Sequence, residues 1–292
     1  MDAREIAERL WPGGVRSIEP LGGGITNRNF RVEVDGEGSL VLRIGGKDTA
    51  LLGIDRHVEH AATRAASALG LGPDVIAFVE PEGYLVTRYV HGEAPSADEV
   101  RELRLEEIAS ALRRFHDGPP IPGRFDSFRV VEAYAATATM RGVVPPPAFA
   151  EAKAIADRIE RARGEQTLRP CHNDLLNANF INDGGRLWIV DWEYAGMGDR
   201  FFDLANFSVN HDCDEHANEQ LLRAYFGEVR EQDLRALRLM RFMSDFREAM
   251  WGVVQRAISE LDFDFAGYAD THFERLQRTA ADPAFVSALD TS

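Results

Sequence analysis

The sequence predicts an α+β fold of two lobes: a small antiparallel-sheet lobe over residues 1–90, then a larger, mainly helical lobe over residues 91–292. Three observations carry this prediction. A chain of 292 residues can bury a sizeable core and form one bilobal unit or two close domains. Short strand patterns separated by glycine turns crowd the first lobe. Beyond them the apolar residues recur at helical spacing, apart from one hairpin over Phe180 to Val190.

Composition narrows the partners. Hydrophobic residues are 45% and charged residues 28% of the chain, the balance of a soluble globular protein. With 33 basic and 48 acidic side chains the formal charge is −15. An acidic surface disfavours nucleic acid and anionic membrane and favours a small cationic substrate. Two cysteines, Cys171 and Cys213, supply neither a disulfide framework nor a zinc pattern. The charged start, Met1 to Leu10, lacks the apolar stretch of a leader, and no window reaches the ~18 apolar residues of a membrane span. The expectation is a cytoplasmic monomer or homodimer.

Each element has a local reason. Met1 to Leu10 reads as a short amphipathic helix. Val15 to Leu21 and Phe30 to Val34 are strands joined by Gly22-Gly23-Gly24-Ile25-Thr26-Asn27, whose glycines let the backbone approach a bound group closely. Leu40 to Ile44 is the next strand. The stretch to Asp48 is no Walker A loop, because Val41 occupies the first glycine position and Asp48 the required Ser/Thr position. A helix from Asp55 to Ala68 stops at Leu69-Gly70-Leu71-Gly72-Pro73. Val75 to Val79 and Tyr84 to Val90 are strands around Pro81-Glu82-Gly83. In the second lobe Ser96 opens a helix with Asp98 and Glu99 in its first turn, and its apolar stripe runs from Leu103 to Phe115. His116 at its end reads as a packing or capping residue. Pro119 to Pro147 reads as irregular, and Pro147 to Arg163 as a helix. Asp233 to Ser259 is a long helix, with Leu237, Met240, Met243, Phe246, Met250, Trp251 and Val254 near one stripe. The cluster His211, Asp212, Asp214, Glu215, His216 has no regular metal-ligand spacing and reads as an acidic rim near a substrate mouth.

The chemistry concentrates in Arg169 to Tyr194, RPCHNDLLNANFINDGGRLWIVDWEY. Asp183-Gly184-Gly185 is turn chemistry between two short strands, so a hairpin folds Asp191 back beside Asp174 and Asn179. Phosphoryl transfer needs such a set: Mg²⁺ held by an Asn and an Asp, and a carboxylate that orients the attacking hydroxyl and accepts its proton. The spacing His172-x-Asp174-x-x-x-x-Asn179, followed by Asp191, is that of a kinase catalytic loop and metal aspartate. An acyl hydrolase is disfavoured, since there is no Gly-x-Ser-x-Gly elbow.

HNDLLNANF followed by VDWEY resembles the choline/ethanolamine kinase family within the aminoglycoside phosphotransferase superfamily, and the resemblance covers about Leu21 to Leu276. It implies a protein-kinase-like bilobal fold with ATP and Mg²⁺ in the cleft. Asp174 would be the catalytic base, Asn179 and Asp191 magnesium ligands, Glu193 an aid to metal or substrate, and His172 a brace of the loop. Gly23, Gly24, Thr26 and Asn27 would cover the nucleotide. Arg43, where protein kinases carry Lys, would grip phosphates and pair with Glu59. Backbone groups of Arg88 and Val90 would meet adenine, and Asp203 would brace the catalytic loop. Trp251, Phe263 and Tyr268 resemble the walls of a choline pocket, where cation–π contacts are worth about 0.5–2 kcal/mol each. Glu248 stands where eukaryotic relatives have a second Trp, and it suits a cation that keeps N–H donors. The implied acceptor is choline or a related amino alcohol. Thiamine, an aminoglycoside or another hydroxylated amine is the alternative in the same class. A non-catalytic, nucleotide-binding pseudokinase is the alternative in another, with Arg43 as its argument.

Overall fold

The computed structural model describes residues 2–22 and 26–290. Gly23 and Gly24, expected over the nucleotide, lie outside the described residues.

Helix α1 (Ala3–Leu10) starts on a capping box: Asp2 accepts from the Glu5 N–H, and Glu5 accepts from the Asp2 N–H. Strands β1 (Val15–Leu21), β2 (Asn27–Val34) and β3 (Gly38–Gly45) follow, then helix α2 (Arg56–Ala68), β4 (Val75–Val79) and β5 (Tyr84–Arg88). The strands form one antiparallel sheet in the order β1-β2-β3-β5-β4. Alternation of Val32, Val34, Leu40, Leu42, Ile44 and Val86 puts one apolar face under α1, where Ile6 and Ala7 close a small core. Asp55 caps α2 by accepting from His57 and Val58 N–H groups.

The larger lobe is helical. Its elements are α3 (Ala97–Leu103), α4 (Leu105–His116), α5 (Ser127–Met140), α6 (Ala148–Arg163), strands β6 (Arg169–Cys171), β7 (Phe180–Asn182), β8 (Leu187–Ile189) and β9 (Gly196–Gly198), then α7 (Arg200–Asn210), α8 (Glu215–Phe226), α9 (Glu231–Ile258), α10 (Phe265–Ala281) and α11 (Pro283–Asp290). Helix α9 is buried over most of its length because α5, α6, α7, α8, α10 and α11 pack around it. The main core is not confined to this lobe. Leu52 and Ile54, in the turn before α2, and Ala62, Ala66 and Leu71 join the same apolar cluster as α9. The hydrophobic interior therefore crosses the sequence boundary at residue 90.

Two expectations need correction. The helix opened by Ser96 is two helices, broken at Arg104 (φ −120°, ψ 1°). The apolar register jumps there: Leu103 is 76% exposed and Leu105 5%. Second, residues 119–147 are not irregular throughout, because they contain α5. Its valines and threonines lower the helix signal that its alanines raise, and no clear apolar stripe runs along it. Burial of Val131, Tyr134 and Ala138 in the core stabilises it instead. Asp126 caps it, accepting from Phe128 N–H at 3.1 Å and Arg129 N–H at 3.3 Å. Replacing Asp126 by Ala removes that cap, and urea denaturation should show a loss of about 1 kcal/mol.

Candidate active site

The catalytic segment is pinned at both ends by a short antiparallel pair, with Arg169 opposite Gly198 and Cys171 opposite Gly196. Between them the hairpin β7–β8 forms as expected, with Phe180 opposite Ile189 and Asn182 opposite Leu187. Asp183 shapes its turn by accepting from Gly185 and Arg186 N–H groups. Gly92 is required beside it: a Cβ there would sit 2.3 Å from the Asn182 carbonyl oxygen.

Asp203, buried in the first turn of α7, anchors the loop. Its carboxylate accepts the N–H groups of His172 (2.7 Å) and Asn173 (2.6 Å), and His116 Nε2 lies 3.0 Å away. Burial opposes the charge, but the His116 hydrogen bond and the other donors hold Asp203 below the usual carboxylate range. His116 Nδ1 meets the Tyr225 hydroxyl at 2.7 Å. One tautomer satisfies both contacts, with Nε2–H donating to Asp203 and Nδ1 accepting from Tyr225. His172 is used the same way. Its Nε2 donates to the Val190 carbonyl (2.9 Å), and its Nδ1 accepts the Asp174 N–H (3.2 Å). Asn206 accepts the Leu175 N–H. Asn173 and Asp191 both adopt positive φ, 67° and 64°, a conformation disfavoured for residues with a side chain.

The hairpin brings the predicted groups together. Asn179 Nδ2 donates to the Asp174 carbonyl at 2.8 Å and lies 3.3 Å from Asp174 Oδ2. Asn179 and Asp191 line a cleft of about 350 Å³ between the lobes, together with Arg43, Glu59, Arg88 and Val90. Arg43 on β3 donates to Glu59 at 2.8 Å and to Asp191. Arg56, which the sequence reading passed over, pairs with Glu59 (2.6 Å) and Glu193 (3.3 Å). Asn27 donates to Glu193 at 2.8 Å and accepts from Arg56. Burial works against the Arg43 charge, yet Asp191, Glu59 and Glu193 hold the guanidinium above its ordinary range. Burial, and after it the Asp191 charge, pushes Glu193 up to about 8. Three carboxylates thus face two guanidinium groups. The hard oxygen donors of Asn179, Asp191 and Glu193 fit Mg²⁺, which would draw the proton off the raised Glu193.

Several expected roles are altered by these contacts. The Asn27 side chain is turned to Glu193 and Arg56 rather than to the cleft, and the Thr26 carbonyl is held by the Gly46 N–H at 3.1 Å. The Arg88 backbone N–H donates to Asp74 and its side chain reaches Glu37, so that N–H is not free for an adenine ring. Within the cluster at His211, His211 itself is fully buried against Phe207, while Asp212, Asp214, Glu215 and His216 are exposed; Asp214 caps α8 and Glu215 pairs with Arg238.

On the other side of Asp174 lies an aromatic group. Trp251 meets Tyr268 edge-on at 5.4 Å, and Phe263 lies 6.2 Å from Tyr268. The Trp251 indole N–H donates to the Tyr194 hydroxyl at 3.0 Å, and the Tyr268 hydroxyl donates to Glu248 at 2.8 Å. Phe263 is 44% exposed and sits at the margin. Buried Arg247 joins this group to the catalytic loop through a 2.8 Å bond to Asp174 Oδ1. Burial raises Asp174 above the usual range, against the pull of Arg247. Arg247 and Tyr194 were missed in the sequence. The available signal was a charged pair, Arg247-Glu248, on the otherwise apolar stripe of a core helix.

The family model described as "Phosphotransferase enzyme family" matches residues 17–240, most of the chain. A solved structure of a choline/ethanolamine kinase family protein from Mesorhizobium loti is 33% identical, with a TM-score of 0.81 over 95% of this chain and 92% of that one. The chain belongs to the choline/ethanolamine kinase family. Among curated relatives, Protein LicA of Haemophilus influenzae is 26% identical over 84% of this chain and 75% of its own length. Ethanolamine kinase 2 of Mus musculus is 26% identical over 93% of this chain and 78% of its own. The kinase-like α+β fold expected from the sequence is therefore the observed one. Among the described residues no helix is long and apolar enough to cross a membrane.

Removing the anchor has a defined cost. Asp203→Ala leaves two backbone N–H groups and His116 buried without their acceptor, and denaturation should show a loss of about 3 kcal/mol. The Asp203 contribution has the sign of a depressed acid. It is complete above the unfolded carboxylate pKa and is lost as pH falls through the lower folded value, so Asp203→Ala should also narrow the gap in acid stability to the parent.

Proposed function

We propose that this chain is an ATP-dependent kinase that phosphorylates the hydroxyl of choline or a related small amino alcohol, working in the cytoplasm. The observation that carries the reading is that Asp174 links two groups of residues: Asn179, in the cleft with Asp191, Arg43 and Glu59, and Arg247, which pairs with Glu248 beside Tyr194, Trp251 and Tyr268. Family membership and the amino-alcohol kinases among its relatives support the same acceptor class.

In this reading the cleft holds the nucleotide, with Val41 and Val90 beside the base and Arg43 reaching the non-transferred phosphates. The Glu59 and Arg56 pairs fix the Arg43 fork, so little order has to be imposed when phosphate arrives. Asn179, Asp191 and Glu193 would hold Mg²⁺, which neutralises charge on the phosphate oxygens when bound. Asp174 Oδ2 accepts the proton of the acceptor hydroxyl as its oxygen forms a bond to the γ-phosphorus. The bond from that phosphorus to the bridging oxygen breaks, and ADP leaves with the electron pair. The aromatic rings and Glu248 receive the cationic end of the acceptor.

Two variants test this. Asp174→Ala should lower kcat by about 10²-fold or more while ATP affinity stays near that of the parent. Full turnover by that variant would remove Asp174 from the base position. Trp251→Ala should raise KM for the cationic acceptor several-fold, by the ~1 kcal/mol a cation–π wall supplies, with KM for ATP unchanged. Initial-rate kinetics on ADP release, with choline, ethanolamine, thiamine and an aminoglycoside as acceptors, reads both and ranks the substrates.

A further inference from the structure

The environment of Arg247 goes beyond this reading and rests on it for the role of Asp174. Arg247 lies on α9 with its side chain 2% exposed. Its Nη2 donates to Asp174 Oδ1 at 2.8 Å and also to the Asn173 carbonyl. Its Nη1 lies 3.0 Å from Glu248 Oε1, and the other Glu248 oxygen takes the Tyr268 hydroxyl at 2.8 Å. The guanidinium carbon sits 5.0 Å from the Tyr194 ring centre, and Tyr194 in turn accepts the Trp251 N–H. One planar group thus touches the catalytic carboxylate, the loop backbone, the pocket carboxylate and the pocket aromatics.

We propose that Arg247 is a positioning residue that selects Oδ2 of Asp174 as the proton-accepting oxygen and sets the distance from that oxygen to the site for the acceptor's ammonium group. With Oδ1 committed to Arg247, the carboxylate cannot turn about its Cβ–Cγ bond without breaking a buried charge-assisted pair. Among the described residues Oδ2 has only the longer 3.3 Å contact to Asn179, whose amide is better placed, at 2.8 Å, on the Asp174 carbonyl. Oδ2 is therefore the oxygen open to a hydroxyl. The ammonium end has its partners, Glu248, Tyr268 and Tyr194, on the opposite side of the same guanidinium. The fork is rigid, so the spacing between hydroxyl and ammonium is held by the width of one side chain. The acceptor class this selects is a short amino alcohol of fixed nitrogen-to-oxygen separation.

The test uses the full-length enzyme with saturating Mg²⁺-ATP and a pair of acceptors, ethanolamine and 3-amino-1-propanol, which differ by one methylene between nitrogen and oxygen. The parent should strongly prefer one of the two. Arg247→Met should lower kcat for the preferred acceptor by about 10²-fold, as misplacement of a reacting group by ~1 Å does. The same variant should shrink the preference between the two acceptors several-fold, while KM for ATP stays unchanged. Arg247→Lys, which keeps the charge and loses the fork, should recover part of kcat and little of the preference. An Arg247→Met enzyme with parental kcat, or one that loses kcat equally for both acceptors, overturns the inference. Should Arg247→Met not fold, Arg247→Lys decides, because it keeps the buried charge, loses the fork and leaves Asp174 and Glu248 in place. Lower kcat with a smaller preference and parental ATP binding supports the positioning role, and an unchanged preference refutes it. If the parent itself phosphorylates no amino alcohol, the proposed function fails, an outcome separate from failure of Arg247.

Discussion

Asp203 receives the N–H groups of His172 and Asn173 together with His116, and the course of the catalytic loop follows from those bonds. A carboxylate with three donors in a fully buried position is stable only as the anion, and it can accept from the loop in only one arrangement. With His172 and Asn173 fixed, the His172 ring is aimed at Val190, which places the residue before Asp191. Asn173 is forced to positive φ, and its side chain reaches back to the Tyr194 carbonyl at 3.0 Å. Asp174 then emerges from a turn that cannot relax without breaking several buried hydrogen bonds, each worth about 1 kcal/mol or more. The strain at Asn173 and Asp191 is held by this network, which is why it persists at the reacting centre.

The second constraint is electrostatic. Arg43, Arg56, Glu59, Asp191 and Glu193 form one partly buried network joining both lobes through β3, α2 and the segment after β8. Isolated ion pairs of this kind would gain little over apolar packing, because desolvation offsets the attraction. The network is better understood as preorganisation: the guanidinium and carboxylate groups that must meet phosphates and a cation are already oriented. The third buried carboxylate, Glu193, raised by burial and then by the Asp191 charge, is the feature a purely structural network would be expected to avoid.

Much of this was legible in the sequence because it is local. The hairpin follows from Asp183-Gly184-Gly185 between two short apolar runs, and once it exists Asp174, Asn179 and Asp191 are neighbours. The strands of the small sheet follow from alternation, and α9 from its stripe. The Arg43–Glu59 pair was readable because one strand and the next helix carry it. What was not legible depends on long-range packing. Helix α5 lacks a clear apolar stripe and is held by packing against α9. The break at Arg104 appears only when Leu103 and Leu105 are seen on opposite sides of the core boundary. Asn27 has the residue type of a phosphate-loop contact, and nothing local says that Glu193, over a hundred positions away, takes its amide. Arg247 was hidden for the same reason, since a charge on a core stripe announces a partner without naming it.

The packing of the first lobe bears on how the site is held. Leu52 and Ile54 are buried with the helices of the second lobe, and the Tyr134 hydroxyl donates to the Leu52 carbonyl at 3.1 Å. Helix α2, which supplies Arg56 and Glu59, shares that interior through Ala62 and Ala66. The sheet, by contrast, has its own separate core under α1. Helix α2 also packs on the sheet, with His60 stacked on Phe78 at 4.4 Å, so it bridges the two cores. The Arg43 contacts to Glu59 and Asp191 are ion pairs from the sheet to α2 and to the catalytic segment, and they hold Arg43 where incoming phosphate can replace one of its carboxylate partners.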